Sequence, residues 1–304
     1  MQAIIKAKNT IRDICRKQDE IITPILRFIW ALIVFISIQK LFGYNSLASK
    51  PEVTILLAVL CALLPDGFMF FMAGVVMTLH SFSVSLELGA VFVVLFVIIY
   101  AVFARFFPKY SYIVLLVPVF YVLHIPFAAP IIIGVLAGLA GTIPGACGVV
   151  IYFFSVCAAE IYELLKTETA ENEIEAVKQL STVLISNKEM YTTVIAFVIT
   201  ILVIGVLAKF TYSYALYIAM AAGVVVNILG AILAGYITHH DVAIQMVLVG
   251  SIVGGILALI VRFGQGILDY QHTERVQFED DDYYYYVKAV PKIDSEKKDK
   301  EDEE

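Results

Sequence analysis

The sequence predicts an all-α integral membrane protein, a polytopic helix bundle with about eight hydrophobic segments. Three observations predict it: 61% of the 304 residues are hydrophobic, the mean hydropathy is +0.88, and long apolar runs alternate with short polar stretches. Soluble domains are usually about 45–50% apolar. A lipid bilayer accommodates so much apolar surface because its acyl tails are themselves an apolar solvent. We therefore expect the bilayer to be the main partner of this chain.

Charge divides the chain into three parts. The net charge of −6 belongs to the C-terminus, because residues 274–304 hold twelve acidic and six basic side chains and the rest holds fifteen of each. Residues 1–22 carry five basic side chains, and their apolar residues recur at helical spacing. This predicts an amphipathic helix on the cytoplasmic leaflet, with a solvated lead-in as the alternative. The parts are thus a basic cytoplasmic segment (1–22), a helix bundle (23–265) and an acidic tail (266–304).

Eight apolar segments make up the bundle. Thr23-Pro24 begins the first, and no cleavage site follows it, so we expect it to stay as a signal anchor. Pro65-Asp66-Gly67 interrupts the second segment, and Pro118, Pro126 and Pro130 interrupt the fourth. The segments cover about 24–42, 53–80, 85–107, 112–141, 143–165, 191–208, 213–238 and 242–263.

The sequence leaves two topologies open. If each segment crosses once, which the sequence favours, both termini are cytoplasmic, and the loop 166–189, with a short surface helix, is outside. Arg105 and Lys109 would then also be outside, against the positive-inside rule. Both residues would be inside if the segments 53–80 and 112–141 were re-entrant hairpins that enter the membrane from opposite sides. The chain would then cross the membrane six times. Non-helical backbone at membrane depth is tolerated only where protein covers it or where it lines a water-filled cavity.

A faint repeat is present. Ala104-Arg105-Phe106 precedes Tyr110-Ser111-Tyr112, and Ala208-Lys209-Phe210 precedes Tyr212-Ser213-Tyr214. Apolar sequences also match by chance. A true duplication would favour a transporter, because such folds are often built from repeats.

Ionisable and polar residues inside apolar segments mark candidate functional positions, because they are costly in lipid. Asp66 and Gly67 lie in a break that frees backbone groups to bind ions, although a wet interfacial turn is the alternative. A histidine beside a carboxylate can relay protons, although Glu87 can also snorkel to the surface. The predicted substrate-path residues are Asp66, Gly67, His80, Glu87, His124 and Asn227.

Several kinds of chemistry have no sequence support. The chain contains no H-E-x-x-H, no G-x-S-x-G and no P-loop motif. Its four cysteines form no C-x-x-C pair, and three lie in apolar runs, as buried cysteines do. We therefore expect no enzyme activity, no catalytic residue, no metal site, no cofactor and no nucleic-acid partner.

The tail contains the most distinctive motif. Four acidic residues, 279–282, precede Tyr283, Tyr284, Tyr285 and Tyr286. Tyrosine and valine favour strands, so we expect an extended strand over 278–290 that binds a cytoplasmic protein at the four tyrosines. A solvated tail is the alternative. Residues 294–304 are charged throughout, which predicts disorder.

These features favour a multi-pass protein of the plasma membrane, a transporter-type or channel-type subunit for a small solute or ion. The alternative is a non-transporting scaffold that recruits cytoplasmic partners of an envelope or secretion machine through its tail. A homo-oligomer or hetero-oligomer is compatible with either function.

Overall fold

The computed structural model describes residues 19–167, 186–210, 214–239, 241–268, 274–279 and 284–289. Within them the chain forms ten helices and two strands. These are α1 Asp19–Leu41, α2 Pro51–Leu63, α3 Asp66–Phe82, α4 Leu86–Ile99, α5 Ile113–Val122, α6 Ala129–Ala137, α7 Thr142–Thr167, α8 Lys188–Leu207, α9 Ala215–Thr238, α10 Ile244–Leu268, β1 Glu274–Glu279 and β2 Tyr284–Ala289. The predicted N-terminal amphipathic helix, most of the loop 166–189 and the end of the tail lie outside these residues.

The helical membrane bundle predicted from sequence is confirmed. Six regions of the described chain are long and apolar enough to cross a bilayer, and shorter apolar helices lie between them. Residues 23–260 form one compact unit, the bundle, and the two terminal segments belong to a second unit that contains the strands. Buried apolar side chains from α1 to α5 and from α7 form one continuous core in the bundle.

The second apolar segment folds back on itself. The Gln39 side chain, at the end of α1, hydrogen-bonds Thr54, at the start of α2. The backbone N–H of Asn45 donates to Nδ1 of His80, at the end of α3, over 3.0 Å. Both ends of the α2–α3 hairpin therefore lie beside residues 43–50, which we call the loop end of the bundle. Pro65, in extended backbone between the two helices, forms its tip.

The tip of this first hairpin lies at the opposite end of the bundle. A Cβ atom placed on Gly67 would be 3.3 Å from Cβ of Pro108. Pro108 follows α4 and a π-helical turn, Tyr100–Ala104, which together run away from the loop end. We call the end that carries residues 105–112 and 138–141 the far end.

The fourth apolar segment forms a second hairpin, α5–α6, which enters from the far end. The α5 helix begins there, and α6 ends at the 3₁₀ turn Gly138–Gly141, which packs on Gly205 near the end of α8. The tip lies near Phe127, whose ring contacts Phe197. Phe197 is ten residues before the end of α8, about 15 Å along a helix. This tip is thus near the middle of a core about 30 Å thick.

The described chain therefore has six long apolar regions and two hairpins that enter the bundle from opposite ends, rather than eight passes in alternating directions. Residues 53–80 match the length of a crossing, but α2 has only 13 residues and Pro65 separates it from α3. Arg105 consequently lies at the same end of the bundle as the start of α1, which removes the conflict with the positive-inside rule.

Single-cysteine labelling tests this arrangement. With the native cysteines replaced, Leu47→Cys and Phe106→Cys should react with an impermeant thiol reagent from opposite sides of the membrane. Both side chains are exposed, at 67% and 68%. Eight single crossings would place them on one side, so labelling of both from the same side would contradict the hairpin.

Candidate functional site

The tip of the first hairpin borders a cavity at the far end. Its volume is about 290 Å³, and the described residues lining it come from α1, α2, α3 and the Pro108 turn: Leu26, Arg27, Trp30, Cys61, Met69, Tyr110 and Tyr112. Met69 lies in the first turn of α3, three residues after Asp66. The Asp66 side chain itself lies outside the described structure. Its backbone is where the sequence placed it, at a helix break.

One lining residue has an unusual polar atom. Nε1 of Trp30 has no hydrogen-bond partner among the described residues, and it is buried, so it is not part of the accessible surface of the cavity. An indole N–H can only donate, and leaving a buried donor unpaired costs about 1–3 kcal/mol.

The tip of the second hairpin is held by a buried amide. The Asn227 side chain, on α9, is completely buried. Its Nδ2 donates to the Phe127 carbonyl over 2.7 Å and to Oγ of Ser251 over 2.9 Å. Its Oδ1 accepts from Thr200 over 3.1 Å. The Asn227 side chain thus links the hairpin tip to three long helices, α8, α9 and α10. We call this set of hydrogen bonds, which joins both ends of the Asn227 amide to the protein, the clasp.

His124 stands at the same tip but outside this clasp. Its backbone has φ 60°, a left-handed conformation that is uncommon for residues other than glycine. Its side chain is exposed on the isolated chain, and Pro126 starts a short 3₁₀ turn two residues later. The imidazole is therefore not packed into the core.

His80 and Glu87 lie near the loop end and are not paired with each other. His80 is fully buried, and its Nδ1 accepts from Asn45, so the neutral ring carries its hydrogen on Nε2. That Nε2 and Oε2 of Glu87 are both buried without a partner. Lys166 and Glu163, also at the loop end, form an ion pair over 3.1 Å. No His80–Glu87 relay is formed.

Asn45 organises this end, a role that the sequence analysis missed. Its Oδ1 accepts from the backbone N–H groups of Leu47 and Ala48, and its Nδ2 donates to Ser83. Asparagine is a common turn former for this reason, which is the signal that could have identified it. The ring of the neighbouring Tyr44 contacts that of Tyr162 at a tilt of 46°. Burial, together with Tyr162 and Glu163, raises the pKa of Tyr44 to about 12.

No protein-family model matches the chain, and no curated protein or solved structure is similar to it. Its function must therefore follow from the arrangement of its own residues. Within the described ranges, no three His, Cys, Asp or Glu side chains are grouped as metal ligands.

The residues predicted from sequence thus fall in three places. Asp66 and Gly67 lie at the first tip, His124 and Asn227 at the second tip, and His80 and Glu87 near the loop end. The 290 Å³ cavity has neither Glu87 nor His124 in its lining. The candidate site is the first tip with its cavity, where Trp30 is the residue that sequence reasoning missed.

The tail forms a β-hairpin instead of one strand. The strands β1 and β2 pair antiparallel, with Phe278 opposite Tyr285 and Val276 opposite Val287. Residues 278 and 279 belong to β1, so the strand expected over 278–290 is divided between two strands. Tyr283 lies outside the described residues, and Tyr284, Tyr285 and Tyr286 begin β2.

Proposed function

We propose that this protein is a transporter-type or channel-type membrane subunit for a small solute. The observation that supports the proposal is the pair of helical hairpins, which enter the bundle from opposite ends. Each hairpin follows a crossing helix, α1 or α4, and enters at the end where that helix finishes. The combination of crossing helix and hairpin therefore occurs twice, in opposite directions. Inverted repeats and discontinuous helices are characteristic of transporter folds.

The clasp on the second tip supports the same function. Non-helical backbone at membrane depth persists only where protein or water satisfies its polar groups. Here the Phe127 carbonyl is bonded to a side chain from another helix. A hairpin tip held by a few hydrogen bonds is suited to opening and closing, whereas a continuous helix is not.

The proposal includes an orientation in the plasma membrane. The far end carries Arg105 and Lys209 and lies beside the start of α1. Basic residues are enriched on the cytoplasmic side. We place the far end and both termini in the cytoplasm, and the loop end outside.

Transport and the role of Asp66 can be tested together. Purified protein in liposomes on a solid-supported membrane should give currents on rapid exchange of H⁺, Na⁺, K⁺ or small organic anions. Asp66→Asn should reduce that current at least about tenfold, because the charge at the helix break is lost, while insertion and abundance stay near normal. Glu52→Gln, at the start of α2 near the loop end, is the matched carboxylate control. Unchanged current in Asp66→Asn would remove Asp66 from the mechanism, and no current with any solute would contradict transport.

The tail hairpin favours a second candidate function, that of a membrane scaffold. Each strand of a two-stranded sheet has one outer edge available for pairing, and an extended segment of another protein can bind such an edge. A photoreactive residue at Tyr284 should then crosslink to a protein in cells. Deleting residues 274–304 should abolish that recruitment while the bundle stays folded. No protein adduct, together with full function of the truncated chain, would contradict a scaffold role.

A further inference from the structure

A second cavity lies in a groove along the last turns of α9. Its volume is about 460 Å³. The lining residues on α9 recur at spacings of three and four, which places them on one face of the helix: Ile232, Gly235, Tyr236 and His239. Asp241 and Val242, in the connection to α10, line it as well. The groove is therefore bounded by one helix face and by the chain that leaves this helix.

The groove extends from the surface of the membrane into its apolar layer. Thr238, the last residue of α9, hydrogen-bonds Thr192 near the start of α8, so α9 ends at the loop end. His239 follows with a φ of 54°, and its backbone N–H donates to the Gly235 carbonyl, which caps the helix. Ile232 lies six residues before the end of α9, about 9 Å deeper along the helix axis. The His239 end of the groove is thus at headgroup level, and the Ile232 end is at the level of the acyl chains.

The polar groups at headgroup level suit a ligand that carries both signs of charge. Asp241 contributes a carboxylate, and the described lining contains no lysine or arginine, so charge favours a cation there. The imidazole of His239 can donate an N–H to an anionic oxygen. Tyr236 is 80% exposed and places a phenol near the same level, where tyrosine is common in membrane proteins. An ammonium group and an anionic oxygen in one ligand would therefore match Asp241 and His239 together.

We propose that this groove binds phosphatidylethanolamine from the leaflet at the loop end, with the ammonium group on Asp241, the phosphate on His239 and an acyl chain along Ile232. Phosphatidylcholine is a poorer fit, because its trimethylammonium group has no N–H to donate. Phosphatidylglycerol would bring a net negative charge beside Asp241. A free amine solute would leave the apolar half of the groove unfilled. Binding of this lipid does not require that the protein transports a solute.

Tryptophan fluorescence can locate the lipid. Trp30 is the one tryptophan in the sequence, so Trp30→Phe together with Tyr236→Trp leaves a single tryptophan, in the groove. The full-length variant is placed in phosphatidylcholine nanodiscs that contain increasing fractions of phosphatidylethanolamine, phosphatidylcholine or phosphatidylglycerol with brominated acyl chains, because bromine quenches tryptophan on contact. We expect half-maximal quenching by phosphatidylethanolamine at a mole fraction at least about threefold lower than by the other two, the scale of one partly exposed ion pair. The unaltered protein, released from nanodiscs with equal amounts of the three lipids, should preferentially retain phosphatidylethanolamine in native mass spectrometry.

Two carboxylate variants make the test specific. Asp241→Asn should remove the preference, so that the three lipids quench equally, whereas Glu52→Gln, at the same end of the bundle but outside the lining, should keep it. Equal quenching by the three lipids, or preferential retention of phosphatidylglycerol, would overturn the proposal. If the doubly substituted protein does not fold, equal retention of the three lipids by the unaltered protein would overturn it. Relief of the quenching by soluble glycerophosphoethanolamine would identify a free solute as the occupant and would overturn the assignment to a lipid.

Discussion

Replacing Asn227 by alanine should lower the free energy of unfolding by about 2 kcal/mol. The substitution removes three hydrogen bonds at once, to Phe127, Ser251 and Thr200. Single hydrogen bonds between membrane helices contribute on average about 0.6 kcal/mol and at most about 1.7. The Phe127 carbonyl would also be left buried without this donor, which adds to the loss. Unfolding in sodium dodecyl sulfate, followed by circular dichroism, measures the change.

Two smaller substitutions are the controls for Asn227. Thr200→Val and Ser251→Ala each remove one bond of the clasp and keep the amide, so each should cost about 0.6 kcal/mol. If Asn227→Ala were no more destabilising than either of them, the clasp would not hold the hairpin tip. The clasp also predicts that the Asn227 variant exposes the second tip, so a cysteine at Ile125 should label faster in it than in an otherwise matched protein.

Replacing Gly205 by alanine should cost about 2 kcal/mol. The new Cβ would lie 2.6 Å from the backbone nitrogen of Leu139 and 2.9 Å from the carbonyl carbon of Gly138. Both are backbone atoms, so no side chain can rotate away, and the 3₁₀ turn at the end of the second hairpin must shift. Overpacking of this kind typically costs about 1–3 kcal/mol. The apparent Tm in detergent, from the loss of the monodisperse chromatographic peak on heating, measures the effect.

Gly230→Ala is the matched control for Gly205→Ala. Gly230 is on α9, facing α8, and its Cβ would be 4.0 Å from Cα of Ala196, an ordinary contact. Alanine also favours a helix over glycine by about 1 kcal/mol. The two substitutions should therefore have opposite signs. A loss of stability in Gly230→Ala equal to that in Gly205→Ala would show that the close approach at Gly138 is not the cause of the loss.

The positions where helices are interrupted could be predicted from the sequence more reliably than the direction in which the chain runs after each interruption. Hydropathy located the apolar segments, and Pro65 marked where the second one is interrupted. It could not show that α2 and α3 turn back, because hydropathy measures length and composition and not direction. The direction is set by contacts between distant residues, such as Asn45 with His80. Arg105 gave the one sequence signal for the turn, through the positive-inside rule.

The polar side chains also show which structural properties could not be predicted from the sequence. Asn227 was recognised because an amide inside an apolar segment is conspicuous. Its partners Thr200 and Ser251 were not, because each also bonds the carbonyl four residues before it and is common in membrane helices. Trp30 is the single tryptophan of the sequence, but whether its N–H finds a partner depends on which helices surround it. Side-chain type is visible in a sequence, whereas hydrogen-bond satisfaction is a property of the fold.

The short first hairpin has a consequence for the surrounding lipid. The α2 helix presents exposed apolar side chains, including Leu56 at 59% and Leu63 at 74%. With 13 residues it is about 20 Å long, against a hydrocarbon core of about 30 Å. Lipid that contacts this face meets a hydrophobic belt about 10 Å too short, and bilayers respond to such mismatch by thinning. The membrane beside α2 should therefore be thinner than elsewhere around the bundle.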